Sequence, residues 1–278
     1  MKNILKIMLM MITIFTIAGS AVYAAEIPVS DQDQLITSSD WTEISNLQDE
    51  MKKEEPDATI DYDKALKVYV DCNLIKLQTA DTKKLTSALE SANYVWVIPF
   101  KMEKTYGMFT VAKGLPLREE AKSVLTKAEQ EEVKNHAGKW MITETAEHTV
   151  EPYYDILLEK REALSDCTRV VLVGSQPGMR QPVALGMDDE TARIWISLGY
   201  QYPVMEKIPE TQNVESGVYS FESVADISDT YIEDSEVSTG AGVQSRSSMK
   251  YVAGIGIIMI GSILILSVLK KKKLEDYE

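Results

Sequence analysis

Tyr251 to Leu269 carries no charge and consists mainly of Ile, Leu, Val, Met and Gly, and Lys270-Lys271-Lys272-Lys273 follows at once. About nineteen residues rising ~1.5 Å each cover roughly 28 Å, the thickness of a bilayer's hydrocarbon core. The run therefore predicts one membrane-spanning helix over 251–269. A lysine block against a span marks the cytoplasmic side, so 270–278 is expected inside. Residues 1–25 agree. Lys2 and Lys6 precede an apolar stretch, Ile7 to Ala18, and Val22-Tyr23-Ala24 is a small-x-small cleavage site. That is the pattern of a secretory signal. The chain reads as a single-pass protein of a bacterial cell membrane, with its N-terminal domain outside and the bilayer held through 251–269.

A single span with a Lys-rich end resembles the cell-wall sorting signal of Gram-positive surface proteins. The resemblance covers only the C-terminal end. Of the sorting pentapeptide, Val237-Ser238-Thr239-Gly240 keeps Thr-Gly alone, and Ile208-Pro209-Glu210-Thr211-Gln212 lies far upstream. A permanent anchor is the reading favoured here.

Acidic residues outnumber basic ones 43 to 29, a formal net charge of −14. Nucleic acid is excluded as a partner, because phosphate binding needs clustered Lys and Arg. Two cysteines are too few for a disulfide framework or a four-Cys zinc site. Hydrophobic content of 45% with 26% charged residues fits a chain that folds.

Between the two ends the patterning is mixed. Residues 26–56 hold a polar lead, 26–39, and then Asp40-x-x-Glu43, a capping pattern. Trp41, Ile44, Leu47 and Met51 follow on one helical face, and Pro56 ends the helix. Leu66, Val68 and Val70 alternate with Lys67, Tyr69 and Asp71, predicting a strand with one polar face. Asp81 caps a helix whose buried face is Leu85, Ala88, Leu89 and Ala92. Tyr94–Phe100 and Tyr106–Lys113 read as a hairpin. Leu117, Ala121, Val124 and Leu125 predict a helical face, and Thr126-x-x-Glu129 opens a second helix ending near Gly138. A strand over 139–145, a helix over 153–164, and strands over 168–174, 183–187 and 191–198 complete the set.

These elements predict an α+β domain over 57–202, a mixed or antiparallel sheet flanked by helices. An offset of 75 residues places 82–92 on 157–167 and Val95–Ile98 on Val170–Val173, and it carries Met108–Ala112 onto Val183–Met187. This is the mark of a duplicated strand-helix-strand-strand unit, set against two independent helix–hairpin units. Residues 203–250 are acidic, rich in Ser, Thr and Gly, and without hydrophobic period, which predicts a disordered stalk.

No catalytic residue and no metal or cofactor site is assigned. His136 and His148 are the only histidines. His148, beside Glu144, Glu147 and Glu151, carries the reading as an extracellular hydrolase. Asp57, Asp61 and Asp63, and the Asp188-Asp189-Glu190 turn, lack a calcium-loop pattern. Gly174-Ser175-Gln176-Pro177-Gly178 is a hairpin loop rather than a nucleophile elbow. Cys72 and Cys167 admit two readings, a disulfide or two buried thiols. Trp96, Tyr106, Pro177 and Arg180 are the candidate binding residues. Tyr153, Tyr154, Trp195, Tyr200 and Tyr202 offer an aromatic surface or simple packing. The expected function is a noncatalytic binding or interaction module. The alternatives are an accessory subunit of a membrane transporter or sensor complex, with a membrane-protein partner, and the hydrolase.

Overall fold

The computed structural model describes residues 27–148, 151–174, 176, 179, 182–199, 207–208 and 213–226. The expected signal, span and tail lie outside the described residues. Among those described, no helix is long and apolar enough to cross a membrane.

In chain order the strands are β1 (Thr59–Ile60), β2 (Leu66–Tyr69), β3 (Tyr94–Lys101), β4 (Tyr106–Lys113) and β5 (Trp140–His148). They continue as β6 (Arg169–Val173), β7 (Val183–Met187), β8 (Ala192–Ser197), β9 (Asn213–Glu215) and β10 (Val218–Ser220). The helices are α1 (Trp41–Ile44), α2 (Gln48–Glu54), α3 (Thr82–Glu90), α4 (Glu119–Lys122), α5 (Lys127–His136) and α6 (Tyr153–Glu159), with α7 over 221–226.

The protein is α+β. Its strands form one large, mostly antiparallel sheet in the order β5-β4-β3-β2-β6-β7-β8-β10-β9, with β1 beside β3. Two halves meet at the one parallel pairing among the described strands, where Val68 faces Leu172 and Tyr69 faces Val173. Both faces of the sheet are buried at its centre. On one, Leu66, Val68, Val95, Val97, Val170 and Leu172 pack with Tyr153, Ile156 and Leu157 of α6. On the other, α3 and α7 cover the β6–β8 half through Leu85, Leu89, Phe221 and Val224. Ile44 and Met51 of α1 and α2 cover Trp96, Ile98, Phe100 and Phe109 of the β3–β4 half.

This double burial corrects the one-sided reading of β2, all four residues of which are buried. A central strand with helices on both faces has no solvent side. The lead 26–39 is not loose from Ile27 onward: Ile27, Val29, Asp33 and Leu35 are buried. The acidic stretch 203–250 enters the core in part. β10 pairs with β8, and Ile208, Val218, Phe221 and Val224 are buried. The fold therefore takes in residues 27–56 and 213–226, beyond both expected domain limits.

Asp81 caps α3 by accepting from Lys84 N at 3.0 Å, and Thr126 with Glu129 forms the expected capping box on α5. Asp40 makes no side-chain cap. The predicted helix over 117–125 shortens to the four residues of α4, and Val124 is 69% exposed. Among the described residues no surface faces it to bury its apolar stripe. Across the 75-residue offset the β3–β4 and β6–β7 hairpins differ by one residue of register. Val95 faces Ala112, whereas Val170 faces Gly186 instead of Met187. One residue of slip exchanges the two faces of a strand, so the two hairpins match only with a gap.

Candidate interaction surface

The β4–β5 connection, residues 114–139, leaves the sheet as a two-helix arm. Its base is a pair of backbone bonds: Gly114 N donates to Lys139 O at 2.9 Å, and Gly138 N to Gly114 O at 2.8 Å. Only glycine fits at 114, where a Cβ would sit 2.1 Å from the carbonyl oxygen of His136. Gly138 takes φ +75°, the left-handed conformation that ends α5. Within the arm, Gln130 Nε2 donates to the carbonyls of Lys122 and Leu125 at 3.0 and 2.9 Å. The arm is thus internally tied. Yet none of its described side chains is buried, and Leu115 and Val124 stand exposed.

Beside the arm runs β5, nine residues long, which pairs with β4 and forms one edge of the sheet. Its register breaks at Thr110/Val111, where Thr143 Oγ1 donates to Thr110 O at 3.0 Å. Glu144 and Glu147 lie along this edge, and Thr145 donates to Glu54. A bulge and acidic residues are ordinary guards against edge-to-edge association. They leave an edge open to a partner of suitable shape and charge.

Of the candidate binding residues, Trp96 is fully buried, so it cannot meet a ligand at the surface. Tyr106 is half-buried at the start of β4, with the Lys101 ammonium 5.8 Å from its ring centre. Pro177 and Arg180 lie outside the described residues. Trp195 and Tyr153 are core residues, which leaves packing as their role; Tyr200 and Tyr202 lie outside the described residues. His148 ends β5, with its backbone in register with Tyr106. Among the described residues no three His, Cys, Asp or Glu side chains gather as a metal site. Asp188 closes its own turn, accepting from Thr191 N at 2.6 Å and Glu190 N at 2.8 Å and pairing with Arg193 at 2.5 Å. Gln176 is buried and pins its loop, donating to Cys72 O and Gly174 O and accepting from Leu74 N.

Cys72 and Cys167 are free, buried thiols. Cys72 packs in the cluster under α3 and Cys167 in the cluster under α6, so the sheet itself separates them. That geometry corrects the disulfide reading. Burial raises the Cys72 thiol to about 12 and the Cys167 thiol to about 11.

One polar cluster escaped the sequence reading altogether. It lies where the N-terminal segment meets the N-terminal ends of β2 and β6. Asp33 is 2% exposed. Its Oδ1 accepts from Tyr69 OH at 2.8 Å, and its Oδ2 from Arg169 Nη2 at 2.9 Å and Ser30 Oγ at 2.7 Å. Lys67 Nζ stands 3.8 Å from Asp33 Oδ1 and 4.6 and 5.2 Å from the ring centres of Tyr94 and Trp96. Asp40 Oδ2 accepts from Tyr94 OH at 2.8 Å and Trp96 Nε1 at 3.0 Å. Burial lowers the pKa of Lys67, against the pull of Asp33 and Asp40, and raises the Tyr69 and Tyr94 phenols. The segment supplies both acids; the sheet supplies both cations and the rings.

Comparison with protein-family models, with curated proteins and with solved structures returns no match to this chain.

Proposed function

We propose that this protein is a noncatalytic binding or interaction module of a bacterial cell surface. In this reading residues 1–25 are a cleaved signal, 251–269 anchor the chain in the membrane and 27–226 stand outside. The observation that carries the binding role is the arm over 114–139. It is internally fastened, none of its described side chains is buried, and it lies beside a strand that is a sheet edge among the described residues. Binding residues are disproportionately carried on connections positioned by a rigid scaffold. The partner contacts the arm and β5. A duplicated origin for the two hairpins requires one residue gained or lost between the copies, since their registers differ by one.

The test is crosslinking in intact cells, followed by mass spectrometry of what copurifies. The native chain is compared with one whose residues 115–137 are replaced by a short Gly-Ser turn. The expected result is a partner captured by the first and lost by the second, at equal surface display. Equal capture by both chains removes the arm from the interface. Capture that survives loss of the arm but fails when 251–269 is exchanged for an unrelated apolar helix makes the protein an accessory subunit, recognised within the membrane. Turnover of a wall or peptide substrate, abolished by His148→Ala, replaces both readings with the hydrolase.

A further inference from the structure

We propose that the occupant of the arm and β5 is a second copy of this chain: in a two-fold pair, the arm over 114–139 of each copy packs on β5 of the other. The inference rests on the reading of the arm and β5 as the binding site, and it names the partner that this site takes.

Charge selects the partner. Residues 114–139 hold five basic and five acidic residues, so the rest of the chain carries the whole formal charge of −14. Two copies therefore repel each other over most of their surface, and the arm is free of that repulsion. Its charges are only partly used within the copy. Lys122 pairs with Glu119 at 2.5 Å and Lys134 with Glu131 at 2.6 Å. Arg118 and Lys127 are exposed and pair with no acid among the described residues. On β5, Glu144 and Glu147 are exposed and pair with no cation among the described residues. Two spare cations on the arm and two spare carboxylates on the edge are complementary across copies.

Shape agrees with charge. Leu115 is 43% and Val124 69% exposed, and Leu117, Ala121 and Leu125 are only half-buried. A single copy leaves this stripe wet. On β5, Met141 and Ala146 are likewise half-buried. A two-fold contact must be self-complementary, with arm on edge occurring twice. β5 starts at the arm's base, where Trp140 follows Lys139, and its nine residues cover about 30 Å. Two such edges lying antiparallel across a two-fold axis set the base of one arm level with the far end of the other β5, where Glu144 and Glu147 lie. The register break at Thr110/Val111 and the like charges of the glutamates oppose direct pairing of the two ladders. The contact therefore falls to the arm.

Anchoring assists the pairing. In the reading above both copies are held in one membrane by 251–269, and that confinement raises their effective concentration. A patch too small to hold two chains together in dilute solution is then sufficient.

The test uses full-length chains bearing two different epitope tags, coexpressed, crosslinked in intact cells and purified on one tag. The second tag is read at equal surface display. The native chain is expected to capture its differently tagged copy. Arg118→Glu with Lys127→Glu makes the arm acidic, and Glu144→Lys with Glu147→Lys makes the edge basic. Each double variant by itself is expected to lose at least about tenfold in capture, because like charges then face each other. Coexpressed, the two double variants are expected to recover it, since both arm-to-edge contacts then join opposite charges; recovery also shows that both are folded. Val124→Asp is expected to lower capture as well. Absence of the second tag from the native capture overturns the proposal, as does undiminished capture by both double variants or failure of the mixed pair to recover. A different protein captured through 114–139, without the second tag, overturns the second-copy assignment and keeps the arm as a binding site. Loss of all arm-dependent capture overturns both.

Discussion

Single side chains here are governed by whether the sheet leaves them a solvent side. Cys72 and Cys167 are held protonated by burial, with thiols raised to about 12 and about 11. At pH 8 neither should react with a thiol reagent in the folded chain, and both should react once it is unfolded; a disulfide would silence both states. Gly107 faces Phe100 across the β3–β4 pair, and the ring covers it so closely that an added Cβ would sit 2.1 Å from Phe100 Cζ. Gly107→Ala should cost about 1–3 kcal/mol in denaturant unfolding. Asp188 is held below the usual carboxylate range, first by the N–H groups of Thr191 and Glu190 and then by Arg193. A depressed acid stabilises the fold above its unfolded pKa, and that increment is lost as pH falls through the folded value. Asp188→Ala lacks the increment. The gap between its denaturant midpoint and that of the native chain should be open at neutral pH and close on titration below ~4.

At the scale of elements, capping and periodicity were legible wherever an element is set by its own residues. Thr126 with Glu129 and Asp81 before α3 are local hydrogen-bond arrangements, so their sequences sufficed. Asp40 carries the same signature and fails as a cap, because Tyr94 and Trp96 from β3 claim its carboxylate. The stripe Leu117, Ala121, Val124 and Leu125 fails as a buried helix because nothing among the described residues packs over it. Val124→Asp should therefore leave stability within about 0.5 kcal/mol of native, measured by denaturant unfolding. A change of more than about 1 kcal/mol would mean that the arm packs on the body after all.

For the whole molecule, the inclusion of 213–226 in the fold has a direct consequence. A chain ending at 202 lacks β10, Phe221 and Val224. Phe221 stacks on Trp195 at 5.6 Å, in the cluster under α3. Residues 26–202 should unfold at far lower denaturant than 26–226 or fail to fold, because several core residues are removed together, each worth roughly 2–5 kcal/mol when truncated. Circular dichroism of the two purified chains checks this. Equal stability would return 203–226 to the stalk.

By itself the sequence determined the α+β class, the antiparallel hairpins, the capped helices α3 and α5, and the expectation of an exported, membrane-held chain. These follow from periodicity, capping and hydropathy, properties of residues a few positions apart. Tertiary structure alone decided the rest. It brought Asp33 beside Lys67, Tyr69 and Arg169, put Trp96 in the core, set Cys72 and Cys167 on opposite faces, and drew 27–39 and 213–226 into the fold. Asp33 and Arg169 are 136 residues apart along the chain. Each reads locally as an ordinary surface charge, and only the meeting of β2 with β6 buries them together.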